Sequence, residues 1–119
     1  MVNTREIGFA KEKETVQFLK KRGYKIIETN YTTIFGEIDI IAKDKGDIVF
    51  VEVKYRKNLS GGFPSEAVTK SKQKKIIKSA VLYIKRNSIK DNIRFDIVSI
   101  TDDKFELIES AFYAAGYFI

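Results

Sequence analysis

The chain contains no cysteine and no histidine. Without cysteine there is no disulfide framework, and a reducing compartment suits the protein. The two absences together exclude Ser-His-Asp and Cys-His catalysis. They also exclude a zinc site of the usual nitrogen and sulfur type. Any metal must then sit on oxygen ligands, which points to Mg²⁺ or Mn²⁺. General-base work falls to Asp, Glu, Lys or a metal-bound water. Long apolar runs are missing too. The opening MVNTREIGFAKEKE lacks the apolar core of a signal peptide, and no later stretch is long enough to span a membrane. The expectation is a cytoplasmic protein with no membrane partner. Proline occurs once, in Asn58–Pro64 (NLSGGFP), which reads as a mobile loop.

What is present fits one domain over residues 1–119. Lys and Arg number 22 against 16 Asp and Glu, a formal charge of +6. A basic excess favours polyanionic partners, chiefly nucleic acid. DNA is expected ahead of RNA, because no stacking-aromatic motif for RNA is visible. Solvated lysines without a specific partner are the alternative.

Asn3–Arg22 reads as a helix stopped by Gly23. Tyr24–Thr29, Glu37–Ala42 and Ile48–Tyr55 read as strands, the last two joined in a hairpin. A second helix is expected over Lys70–Asn87, capped by Thr69. Ile93–Ile100 is a fourth strand and Phe105–Ile108 a fifth. The order αβββαβ implies an α/β protein with a mixed sheet flanked by helices. The apolar tail SAFYAAGYFI reads as core packing or a covered sheet edge, with a homodimer contact as the alternative.

Strand alternation puts Glu52 and Lys54 on one face, beside Ile48 and Phe50. Charged groups in so apolar a strand are costly unless paired or bound to something. Glu37 and Asp39 share a face of the preceding strand, with Ile38 and Ile40 on the other. A two-residue Lys45-Gly46 turn sets Asp39 opposite Glu52, with Cβ atoms about 5 Å apart. Opposed carboxylates repel unless a cation or proton lies between them. A divalent metal is one solution, and a cluster with Lys54 as the only counter-ion is the other. Glu12 falls on the buried stripe of the first helix, with Phe9, Val16 and Leu19. It either reaches the acid pair or snorkels to water. Gln73 opens the apolar stripe of the second helix, in line with Ile77, Ala80 and Ile84. It either orients a water or phosphate or is a polar residue of the first turn. Lys74, Lys78 and Lys85 share the neighbouring side, with Lys70 nearer the stripe, and form either a phosphate track or a solvated face.

Asp39 followed by Glu52-Val53-Lys54 resembles the PD-(D/E)XK nuclease motif. With Glu12 before it and Gln73 after it, the set resembles Holliday-junction resolvases and related nucleases. The match is closer to the YraN family of small bacterial proteins. It covers Phe18-Leu19, Gly23-Tyr24, Asn30, Gly36–Asp39, Phe50–Lys54, Arg56, Lys72 and Arg94–Asp96. Ile38 replaces the proline that usually precedes the motif aspartate, and Lys11 stands where the family usually has glycine. The resemblance implies a restriction-endonuclease-like αβββαβ core. It implies metal binding by Asp39 and Glu52, with Glu12 assisting and Lys54 positioning the attacking water. On this reading the Val53 carbonyl completes the Mg²⁺ or Mn²⁺ ligands. Arg56, Lys70, Lys72, Lys74 and Lys78 would contact nucleic acid. The expected function is metal-dependent hydrolysis of DNA, including branched or irregular DNA. The rival is a catalytically silent nucleic-acid-binding adaptor.

Overall fold

The computed structural model describes residues 4–56 and 68–114. The Asn58–Pro64 loop lies outside the described residues, as does the end of the apolar tail. The elements are α1 (Thr4–Lys21), β1 (Lys25–Thr33), β2 (Gly36–Asp44), β3 (Asp47–Arg56), α2 (Lys70–Arg86), β4 (Ile93–Thr101) and β5 (Lys104–Phe112). They build one five-stranded sheet in the order β1-β2-β3-β4-β5. Only β3 and β4 pair in parallel, and α2 makes the crossover between them. This is the mixed α/β sheet of a restriction-endonuclease-like core. β5 and the longer β1 extend beyond the expected limits.

Local chemistry sets the element ends. α1 stops where Gly23 adopts φ 94°, with Tyr24 N–H donating to Leu19 O and Gly23 N–H to Lys20 O. This pair of bonds satisfies carbonyls that the helix end would leave bare. Leu19 and Tyr24 then bury together under the sheet. Lys45 and Gly46, with φ 53° and 88°, make the tight β2–β3 turn, which favours two left-handed residues. α2 is capped by Thr69, whose side chain accepts from Lys72 N–H.

The sheet has a core on each side. Leu19, Ile40, Val49, Val51, Val98 and Ile100 pack on the α1 side. Ile41, Phe50, Ile76, Ile77, Tyr83 and Phe95 pack on the α2 side. β3 is central and apolar on both faces, as a strand covered on both sides must be. Each buried aliphatic side chain contributes about 1.5–3 kcal/mol, so this frame can tolerate a few costly polar groups. Phe112 stacks on Phe95 with ring centroids 5.0 Å apart, so the start of the tail is core.

One expectation about faces is corrected. Ile38 joins the α2-side cluster and Ile40 the α1-side cluster, although they are two residues apart. Alternation therefore breaks at Asp39. Regular β2–β3 pairing stops at Ile40–Val51, one step before Asp39 and Glu52. Past that point Val53 N–H donates to Asp39 Oδ2 at 2.8 Å. The side chain takes a donor that the ladder would otherwise use, and the strand is free to turn.

Arg94 and Asp96 have a structural role. Arg94 Nε donates to Asp96 Oδ1 at 2.9 Å, and Nη2 to Asp44 Oδ2 at 2.9 Å and Tyr24 Oη at 2.8 Å. Tyr24 donates in turn to Asp96 Oδ2 at 2.7 Å. Asp96 is fully buried, and this network supplies the partners that such a charge requires.

Candidate metal centre

The acids gather at the end of the sheet where β2 begins and β3 finishes. A cleft of about 380 Å³ opens there, lined among others by Lys11, Glu12, Asn30, Glu37, Asp39 and Tyr55. One carboxylate oxygen each from Glu12, Glu37 and Asp39 lies within 4.8 Å of the others. Glu12 arrives from the half-buried side of α1, and the two β2 acids come from the strand's irregular start. Asn30, held at φ 55° in β1, is satisfied with its amide NH₂ facing the acids. In that orientation it donates to Glu37 Oε1 at 2.6 Å and to Glu12 Oε1 at 3.0 Å.

Glu52 projects toward the α2 side, as Phe50 does, and Lys54 follows it two residues on in β3. Glu52 is only 8 % exposed. Lys72 Nζ, from the first turn of α2, lies 3.8 Å from Glu52 Oε1. Glu52 Oε2 is buried and has no hydrogen-bond partner of ordinary geometry among the described residues. Asp39 alone belongs to both groups. It lines the cleft, accepts from Val53 N–H, and acts electrostatically on both Glu12 and Glu52.

The electrostatics follow from burial and crowding. Burial pushes the Glu52 carboxyl up to about 8, and Asp39 adds to this, while Lys72 and Lys54 oppose it. Asp39 is also raised, chiefly by burial and then by Glu37, with the Val53 N–H pulling the other way. Glu12 rises to about 7, first through burial and then through Asp39 and Glu37, with the Asn30 bond opposing. In all three the charged form is disfavoured, because burial and neighbouring acids outweigh the positive charge that reaches them.

The expected site residues are therefore divided. Glu12 and Asp39 meet in the cleft, and Val53 lines it, with its N–H engaged by Asp39. Glu52 comes within hydrogen-bonding reach of Asp39, as the hairpin register leads one to expect, and Lys54 acts electrostatically on Glu52. Gln73 is not brought to the cleft: its Nε2 donates to Val68 O at 3.0 Å and closes the start of α2. Lys72 faces Glu52. Lys70, Lys74 and Lys78 are exposed, with Lys78 Nζ 5.5 Å from the Phe35 ring centroid. Arg56 is half-exposed at the end of β3.

Three site residues escaped the sequence reading. Glu37 shares a face with Asp39 by alternation, which was the available signal. Asn30 gave none beyond its place in the family pattern. Lys11 lines the cleft, with Nζ 2.6 Å from Asp103 Oδ1 and 5.4 Å from the Tyr55 ring centroid.

This arrangement can be set beside known proteins. The sequence profile of the uncharacterised protein family UPF0102 matches residues 11–100. The chain belongs to UPF0102. A UPF0102 protein of Dictyoglomus turgidum is 52% identical over 101 residues, covering 83% of this chain and 85% of that relative. One from Lachnoclostridium phytofermentans is 42% identical over 117 residues, covering 97% and 99%. One from Fusobacterium nucleatum is 46% identical over 110 residues, covering 92% of each chain. The UPF0102 match spans both acid groups, Asn30 and the Arg94 network. Among the described residues of this UPF0102 chain, no helix is long and apolar enough to cross a membrane.

Proposed function

We propose that the protein is a metal-dependent endonuclease that hydrolyses phosphodiester bonds in DNA, with branched or irregular DNA as its substrate class. The observation that carries this reading is the convergence of Glu12, Glu37 and Asp39 within 4.8 Å on an open cleft. The donor set fits a hard divalent cation. It is all oxygen, and burial disfavours the charged forms of Glu12 and Asp39, a penalty that a cation would relieve. Glu12, Glu37 and Asp39 would hold Mg²⁺ or Mn²⁺, with Glu52 reinforcing the charge from behind Asp39. When bound, the ion polarises a phosphate oxygen and acidifies a water.

The chain's own residues do the rest. Val53 N–H fixes the Asp39 carboxylate. Asn30 orients Glu12 and Glu37. Lys54 offsets negative charge as it builds on the phosphate, and Lys72 keeps the Glu52 side from excess repulsion. α2 offers Lys70, Lys74, Lys75 and Lys78 to the DNA backbone. A cytoplasmic location, where DNA and magnesium are both available, is part of the reading. The test is a Mn²⁺-dependent cleavage screen over duplex, single-stranded, flap and four-way-junction DNA. Cleavage abolished by EDTA is the expected result.

A second reading, a catalytically silent DNA-binding adaptor, draws on the Lys72–Glu52 contact. Together with Val53 N–H it compensates part of the acid group internally. An adaptor binds DNA equally with and without metal and cuts nothing in the screen.

A further inference from the structure

The β1–β2 turn sits beside the cleft and presents one feature that metal chemistry does not use. Ile34, at its tip, is 91 % exposed. A lone exposed apolar residue is ordinary on a protein surface. Here the turn beneath it is braced. Thr33 Oγ1 accepts from Phe35 N–H at 3.0 Å and donates to Gly36 O at 3.2 Å. The same hydroxyl lies 2.8 Å from Ser79 Oγ, which ties the turn to α2. Phe35 is half-buried beside Lys78. Ile34 therefore stands in water on a fixed mount, although its neighbour folds down.

The surroundings select a partner. Lys75 and Lys78 of α2 stand against the turn, and α2 carries no acid. An apolar tip flanked by such a face is complementary to a polyanion that also offers stacked apolar surface, which is DNA. The chain runs from the tip through Gly36 directly to Glu37 of the acid group. The turn is thus tied to α2 through Ser79 and leads into the acid group, and DNA that contacts both would meet Ile34 between them. Apolar wedges enter base steps at low cost where stacking is already broken.

Resting on the nuclease reading, we infer that Ile34 is a wedge that inserts at an interrupted base stack and directs the protein to branch points in DNA. The test uses the full chain with Ca²⁺ in place of Mg²⁺. A four-way junction carrying 2-aminopurine at its branch point is compared with linear duplex of the same arm sequence. Wild type raises the 2-aminopurine fluorescence and binds the junction at least about tenfold more tightly than linear duplex. Ile34→Ser loses the fluorescence rise and about tenfold of junction affinity, and keeps linear-duplex affinity within about twofold. Ile34→Leu restores both. The wedge is overturned, and the nuclease reading left standing, if Ile34→Ser matches wild type on both DNAs or weakens both equally. It is also overturned if Ile34→Ser loses binding only to anionic phosphatidylglycerol vesicles, which marks the tip as a membrane contact. If wild type binds neither DNA, both readings fall together.

Discussion

Val53 N–H donates to Asp39 Oδ2 at 2.8 Å, just past the last regular β2–β3 pair. A backbone donor of the central strand thus holds the one carboxylate that belongs to both acid groups. It also keeps Asp39 aimed at the cleft despite Glu37, Glu12 and Glu52 around it.

Metal binding is expected to need Glu37 as well as Asp39. Asp39→Asn and Glu37→Gln each lower Mn²⁺ affinity by at least about tenfold, because each removes a ligand oxygen from a three-acid set. Calorimetric titration of the three proteins decides this. Wild-type affinity in Glu37→Gln means that the ion sits elsewhere.

Lys54 is expected to act in the chemical step. Lys54→Ala leaves Mn²⁺ binding and DNA affinity within a few-fold, and cleavage falls by roughly 10²-fold or more, the scale of losing one preorganised electrostatic group. Asp39→Asn loses both metal and cleavage. A Lys54→Ala protein that cuts at the wild-type rate removes Lys54 from the mechanism.

Acid crowding gives the metal-free protein a distinctive pH profile. The folded carboxyls of Glu12 and Glu52 stand at about 7 and about 8, above the ordinary 4.5. The folded state therefore binds protons more readily than the unfolded state. That stabilisation is complete below about 4.5 and is lost as pH rises through about 7 to about 8. In EDTA, Tm should fall across this window, and Glu52→Gln should flatten the fall. Thermal unfolding at a series of pH values reads it directly. A Tm that rises from pH 5 to 8 in EDTA contradicts the crowding.

Arg94 should matter for stability and little for metal. Arg94→Met leaves Asp96 and Asp44 buried without their cation and costs about 3–5 kcal/mol, the usual result of breaking a buried ion pair from one side. Urea unfolding measures it. A loss below about 1 kcal/mol would mean that water replaces the guanidinium.

DNA affinity should fall steeply with salt, through release of condensed counterions. Neutralising Lys74 and Lys78 together reduces the log–log slope by up to about two. An unchanged slope places the DNA away from α2.

Local sequence was enough wherever one element or one turn decided the outcome. Lys45-Gly46 set the hairpin register, Thr69 and Gly23 set helix ends, and strand period put Glu52 and Lys54 on one face. Helical period alone turned Glu12 toward the sheet. Only the tertiary structure separated Ile38 from Ile40 and brought Asn30 and Glu37 to Glu12. It also carried Lys72 to Glu52 and Gln73 to Val68. Periodicity specifies the direction a side chain takes from its own backbone. The distance between side chains of different elements depends on where packed layers let two strands diverge, and no local pattern records that.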